Sequence, residues 1–255
     1  MRKVILVTFL ALCAPAFGQS VGTCDTLIIT GHPAYPPVAW ADNGKIIGAS
    51  TQLVTAIAKQ LKVPNVVSKD FGSWENAQEA IKNGQADVIM GIYKNDVRQQ
   101  YMNYIEPPYM VDPVSIVIRA GQTLKYKKWD DLKSLKGVTN EGESFGNKFD
   151  SYIVENLTVE RSKGVDAAFD TLLNKDADYL IIGMYPGKMV ARNRKIMSQL
   201  NFMPKSLEVA NMYIAFSKQS ACYDVLKAGF STAIIHAASS GRVKQLLIDA
   251  DKKFN

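Results

Sequence analysis

The sequence predicts an α/β protein built as two similar lobes with a cleft between them. Three observations carry that prediction. Apolar runs of strand type alternate with helical periodicities, the pattern of a sheet covered by helices. One helix–strand unit recurs roughly 90 residues later. Two extended segments, "DPVSIVIRAG" and "LEVANMYIAFSK", follow the two copies and would let the chain cross between lobes twice.

The chain opens with Arg2 and Lys3, then apolar "VILVTFLALCA" and the small residues of "APAFG". A basic start, a short apolar stretch and small residues at Ala16 or Gly18 predict a cleavable export signal over residues 1–18. Export leads to an oxidising compartment, and with Cys13 removed Cys24 and Cys222 remain as an even pair. A Cys24–Cys222 disulfide is expected, with two unpaired buried thiols as the alternative.

Next, "TCDTLIIT" supplies a buried strand, and "GHPAYPPVAW" follows as a stiff aromatic connection. "ASTQLVTAIAKQLKV" spaces Leu53, Ile57 and Leu61 four apart with Val54 and Ala58 alongside, which predicts a helix. "NVVSKDF" reads as a short strand. Ser73 can cap a second helix, "WENAQEAIKNG", which Gly84 closes. "ADVIMGIY" is a continuous apolar run, typical of a parallel strand covered on both faces.

The recurrence pairs "AIKNGQADVIMGIY" (Ala80 to Tyr93) with "TLLNKDADYLIIGMY" (Thr171 to Tyr185), the second copy carrying one more strand residue. Two such units suggest two lobes rather than one continuous sheet, although a chance likeness of two short segments is the alternative. The chain ends in the helices "CYDVLKAGFSTAIIHAASSG" and "RVKQLLIDADKKF", which the disulfide would return to the first lobe. The expected division is residues 19–110 and 213–255 in lobe 1, with 111–212 forming lobe 2 and the hinge segments.

With 255 residues, 47% of them hydrophobic, the chain has ample core material. No apolar run reaches the 18 or so residues of a spanning helix. The net charge of +6 falls to +4 when Arg2 and Lys3 leave. Lysines are scattered among acids, so there is no basic stripe for nucleic acid. His32 and His236 show no metal-ligand spacing with the cysteines, and "GASTQ" lacks the Gly-Lys-Ser/Thr of a phosphate loop. Neither metal nor cofactor is expected.

Taken in order, "GHPAYPP", "NGKIIGAS", "AIKNGQADVIMG", "RQQYMNYIEPPY", "WDDLKSLKGV" and "GRVKQL" make the chain resemble the periplasmic solute-binding proteins of family 3, the polar amino-acid type. The resemblance runs from Leu27 to about Lys252. It implies the type II periplasmic-binding-protein fold, two lobes joined by two crossover strands. It further implies a periplasmic monomer that closes on a small carboxylate-bearing ligand and delivers it to an inner-membrane ABC transporter.

The resemblance also places the site. Tyr35, held by Pro33 and Pro37, and Trp74 would sandwich the ligand's side chain, and Arg98 would grip its carboxylate with a planar, charge-assisted fork. Ser144, at a helix start, would hold the same carboxylate. His32 stands where the ligand's distal end is met, and Gly91, Tyr93, Asn95 and Glu143 complete the expected lining.

Three departures bear on the ligand. The acid that holds an α-amino group in this family is Gly183 here, Asn95 and Tyr93 replace hydroxyl-bearing positions, and Glu143 replaces a small hydroxyl residue. A buried ammonium needs an anionic partner. Either Glu143 supplies it, or the ligand lacks an α-ammonium. Two other functions stay open. One is a dehydratase-like enzyme using Glu143 or His32 as acid or base, and the other is an orphan sensor or protein-binding module. A binding protein without catalysis is the expectation.

Overall fold

The computed structural model describes residues 23–254. The expected export signal lies outside the described residues. The chain first builds β1 (Thr26–Gly31), then the small antiparallel strands β2 (Ala34–Tyr35), β3 (Ala39–Asp42) and β4 (Lys45–Ile47). Helix α1 (Ala49–Gln60), β5 (Asn65–Ser68), α2 (Trp74–Lys82), β6 (Val88–Tyr93), the short α3 (Asp96–Gln99) and β7 (Met102–Tyr104) complete this half. The long strand β8 (Met110–Arg119) leads to β9 (Lys136–Asn140), α4 (Asn147–Asn156), β10 (Thr158–Ser162), α5 (Val165–Leu173), β11 (Tyr179–Gly183), α6 (Met184–Asn193) and β12 (Leu200–Phe202). A second long strand, β13 (Glu208–Ser217), returns to α7 (Cys222–Ser239) and α8 (Arg242–Phe254).

Hydrogen bonding shows why the two matched segments fold alike. The turn after α2 passes through Gly84 at φ 69°, and the turn after α5 through Lys175 at φ 70°. The N–H groups of Gln85 and Ala86 return to the Ala80 carbonyl, as those of Asp176 and Ala177 return to the Thr171 carbonyl. The aspartate of each Ala-Asp pair then pins the first strand of its own lobe. Asp87 accepts from the Ile28 N–H and Asp178 from the Lys136 N–H, both at 2.8 Å. The likeness stops before the Gly-x-Tyr endings. Gly91 to Tyr93 extend β6, whereas Gly183 ends β11 and Met184 and Tyr185 begin α6.

The strand order is β10-β9-β11-β8-β13-β6-β1-β5, with β12 on β8 and β7 on β13. Strands β1, β5 and β6 run parallel in one half, and β9, β10 and β11 in the other. Contrary to the expectation of separate sheets, one hydrogen-bonded path passes through both halves. The crossover strands β8 and β13 pair antiparallel from Val114 opposite Glu208 to Met110 opposite Met212. That pairing satisfies backbone groups which two separate extended crossings would leave open.

Helices cover both faces. Leu53, Val54 and Ile57 of α1, Leu226, Phe230 and Ile234 of α7, and Val243 and Leu246 of α8 share one core cluster with β1 and β13. Trp74, Ala77 and Ile81 of α2 pack on the opposite face of the same strands. Ala168, Phe169 and Leu172 of α5 pack with Val190 of α6 on the second half of the sheet. Full burial of each Leu, Ile or Phe contributes about 1.5–3 kcal/mol. Ser73 caps α2 as expected, accepting from the Asn76 N–H at 3.0 Å.

The Cys24–Cys222 disulfide is present and fastens the residue region before β1 to the first residue of α7. It spans 198 residues, so its loss frees a long loop in the unfolded chain. Cys24→Ser/Cys222→Ser is expected to lower unfolding free energy by about 2–5 kcal/mol. Urea unfolding of the two proteins side by side measures this, and equal midpoints would show the bond to be dispensable for stability.

Candidate functional site

The site forms where the strand ends of both halves meet the crossover strands. In β6, Gly91 has φ 71°, and a Cβ there would stand 2.9 Å from the Val38 side chain. Opposite it the β13 register slips between Tyr213 and Ile214, so Gly91 is the bulged residue. Just beyond β6, Asn95 caps α3 by accepting the Arg98 N–H at 2.7 Å. This tight turn carries Arg98 back over the end of the sheet.

Arg98 is 3% exposed, and its acceptors among the described residues are neutral. Its Nε donates to Gln78 Oε1 at 2.8 Å, Nη1 to the Tyr93 carbonyl and Nη2 to the Gly142 carbonyl, both at 3.0 Å. Gly142 belongs to the second half of the sheet, so the guanidinium spans the interface. Gln78 reaches the same carbonyl at 3.1 Å, and the Arg98 guanidinium lies 5.6 Å from the Trp74 ring centre.

His32 covers another part of that ring, 5.0 Å away and inclined by 30°. The Trp74 face expected to meet a ligand is thus partly occupied by a histidine, and Tyr35 lies 5.4 Å from that histidine. The Ala34 N–H donates to His32 Nδ1 at 2.9 Å, which places the ring proton on Nε2. That nitrogen points at Glu143 Oε1, 3.2 Å away across the interface, with Asn140 Nδ2 also at 3.2 Å.

Ser144 and Asn95 also meet across the interface, the Asn95 amide donating to Ser144 Oγ at 2.7 Å. Here the chain supplies a carboxylate of its own. Asp150, in the first turn of α4, accepts from the Ser144 hydroxyl and from the Phe145 N–H at 2.7 Å. Ser144 is therefore held as a bridge between Asp150 and Asn95.

Sequence reasoning missed Asp112. It lies in the crossover strand β8, fully buried, and gathers groups from both halves. Oδ2 accepts from the Tyr35 hydroxyl at 2.7 Å and the Tyr93 hydroxyl at 3.3 Å. Oδ1 accepts from the Met184 and Tyr185 N–H groups at 3.1 and 3.5 Å, the free donors at the start of α6. The two phenolic oxygens are 2.6 Å apart. A Cβ at Gly183 would fall 2.0 Å from the Tyr35 hydroxyl and 2.3 Å from Asp112 Oδ2, so glycine is needed there for space. The only sequence signal was one acid inside the apolar run of β8, and the following Pro113 makes it read as a hinge residue.

Burial pushes the Asp112 carboxyl up to about 7, against the lowering effect of its hydrogen bonds. Burial, then the Asp112 charge, raises the Tyr35 and Tyr93 hydroxyls well above their usual range, and Glu143 acts on both in the same direction. A cavity of about 600 Å³ is lined by His32, Ser73, Trp74, Asn140, Lys163 and Val165 among others, and Arg98, Tyr35, Tyr93, Asp112 and Glu143 are not part of its lining. The Trp74 indole N–H is buried and has no hydrogen-bond partner.

The model of a family described as bacterial extracellular solute-binding proteins, family 3, matches residues 27–247. The chain is 25% identical over 183 residues to a probable histidine-binding protein of Campylobacter jejuni, covering 71% of this chain and 69% of that one. It is 24% identical over 143 residues to the L-cystine-binding protein TcyJ of Escherichia coli, covering 55% of this chain and 49% of the relative. Among solved structures, the amino acid ABC transporter substrate-binding protein AbpA of Streptococcus pneumoniae, bound to L-arginine, superposes with a TM-score of 0.74 at 22% identity. That likeness covers 90% of this chain and 96% of the other.

Proposed function

Because the chain belongs to the bacterial extracellular solute-binding proteins of family 3, we propose that it captures a small carboxylate-bearing ligand, an amino acid or a close analogue. Its fold is that of the type II periplasmic binding proteins, and its family consists of solute-binding proteins of the amino acid ABC transporter type. In this reading the protein works in the periplasm, closes its lobes on the ligand without turning it over and presents it to an inner-membrane ABC transporter.

Arg98 is the observation that carries the proposal. A guanidinium taken out of water with only neutral acceptors is costly unless an anion joins it. A ligand carboxylate supplies that anion and can use the fork's two remaining N–H donors. Tyr35 and Trp74 frame the ligand's body, and the unpartnered Trp74 indole N–H offers a donor toward its far end. His32 lines the cavity and holds Glu143 at 3.2 Å, while Ser144 and Asn95 act as struts between the lobes.

Thermal unfolding in the presence of amino acids, their deaminated analogues and aromatic or cyclic carboxylates tests this. A ligand present at a hundred times its Kd adds about 2.7 kcal/mol of stability. At least one carboxylate is expected to shift the melting curve. No shift from any of them, in protein freed of carried-over ligand by unfolding and refolding, would remove the proposal.

A further inference from the structure

A second groove, of about 610 Å³, lies apart from the cleft where the crossover strand begins. It is lined from three directions: by Pro37 and helix α8 of one lobe, by Tyr185 at the start of α6 from the other, and by Tyr109 to Val111. None of Arg98, Trp74, His32 or Glu143 lines it. Its floor is buried, with Pro37 covered, Tyr109 4% exposed and Val243 8% exposed. Its rim is apolar yet open to water, with Val111 48%, Ile248 42% and Tyr185 38% exposed. Single exposed apolar residues are ordinary, but three of them around one concave floor mark a binding surface.

Helix α8 supplies one wall through Lys244, Leu247, Ile248, Asp251 and Lys252, the spacing of a single helix face. The charge on that wall is unbalanced. Asp251 bonds Arg192 of α6 at 3.0 Å, whereas neither lysine has an ionic partner among the described residues. Lys252 stands in the last turn of α8, where a cation suits the helix dipole. Lys244 gains no such support. It stands in the first turn, at the positive end of the dipole, and no acid shares that turn. A cation kept there against its own helix, beside Leu247 and Ile248, is complementary to an anion that carries an apolar body.

We infer that this groove is a second ligand site and takes a small amphipathic anion, with its apolar body over Pro37, Tyr109 and Leu247 and its acidic head at Lys244. A groove of this size holds a body of roughly ten carbons. The site goes beyond the cleft reading and does not depend on it. A concave groove with a buried floor suits one small molecule rather than a flat bilayer. A second copy docked face to face would bring four lysines onto one contact, so self-association is opposed.

Calorimetric titration of the purified protein with decanoate and with decylammonium, which share a chain length and differ in charge, tests the inference. One decanoate per chain is expected, bound at least tenfold more tightly than decylammonium. Ile248→Asp is expected to weaken decanoate at least tenfold, and Lys244→Glu at least fivefold. Both side chains are exposed, so the urea unfolding midpoints should stay unchanged. Equal binding of the two amphiphiles, no saturable binding of decanoate, or binding that both substitutions leave intact would overturn the inference. So would binding lost in Arg98→Ala, which would place decanoate in the cleft. Sedimentation of the natural protein and Ile248→Asp, alone and with phosphatidylglycerol vesicles, checks the other occupants. A dimer or a vesicle-bound form that Ile248→Asp releases would give the groove to that partner and overturn the inference. Each of these failures leaves the solute-binding reading standing.

Discussion

Unliganded Asp112→Asn is expected to melt well above the natural protein at pH 8 and close to it at pH 4. In the folded protein the Asp112 carboxyl titrates near 7, against an ordinary value of 3.8. The folded state therefore holds a proton that the unfolded chain has already released. Below 3.8 both states are protonated and folding is unaffected. As pH rises from 3.8 toward 7, the unfolded state gains the advantage of free ionisation and stability falls, levelling off once the folded group also ionises. Over that window the loss amounts to about 4 kcal/mol at 1.36 kcal/mol per unit. Asparagine removes the ionisation while keeping an acceptor for the two N–H groups at the start of α6 and an amide to face the phenol oxygens. The opposing term, a weaker charge at that helix end, is about 0.3–1 kcal/mol and does not reverse the sign. Thermal or urea unfolding of both proteins at pH 4, 6 and 8 measures the difference. If Asp112→Asn is the less stable protein at pH 8, Asp112 is a helix cap and no reserve of uncompensated charge exists. A more stable variant at pH 8 is the signature of a carboxylate kept at a cost to the fold.

The part of this molecule that sequence made legible is the part governed by short-range rules. Ser73 three residues before Asn76, Gly84 after α2 and the Ala-Asp pairs at 86–87 and 177–178 each act within one turn or on an adjacent strand. The cysteine pair was legible because counting alone left one partner. Asn95 stands three residues before Arg98, a capping distance, and it caps the tight α3 turn by accepting the Arg98 N–H. Asp112 was not legible, because its partners lie 77 and 19 residues away in sequence and 72 to 73 residues on in α6. Only the pairing of two crossover strands brings them to one point. The same pairing turns what read as separate sheets into one continuous path. Asp150 accepts from the Ser144 hydroxyl and the Phe145 N–H, a local contact that reading Ser144 as a helix-start ligand did not include. Equivalence of the two Gly-x-Tyr endings failed for a related reason. Gly183 ends β11 where Gly91 continues β6, and the free N–H groups of the helix that follows are where Asp112 docks.

Arg98→Ala is expected to lower affinity for the cognate carboxylate by at least a hundredfold, the largest effect of any single substitution in the cleft. Truncating one member of a buried, hydrogen-bonded charge pair costs about 2–5 kcal/mol, much of it from the anion left without a partner. Arg98→Lys is a sharper probe. Lysine keeps the charge but loses the planar fork, so it cannot hold Gln78, the Tyr93 carbonyl and the Gly142 carbonyl while also gripping two carboxylate oxygens. Partial rescue is therefore expected, with affinity between those of the natural protein and Arg98→Ala. Stability of the unliganded protein should change far less. Arg98 is a buried cation with neutral partners, so its removal relieves a desolvation cost even as three hydrogen bonds to neutral groups are lost, at about 1.5–3 kcal/mol each for a charged donor. Those terms nearly cancel, and a change in unfolding free energy much smaller than the change in binding free energy is the expected result. Calorimetric titration and urea unfolding on the same three proteins give both numbers. If stability collapses and binding weakens only in proportion, Arg98 is a lobe-to-lobe brace. Selective loss of binding identifies it as the carboxylate anchor, held ready by Tyr93 at one side and by Gly142 of the opposite lobe at the other.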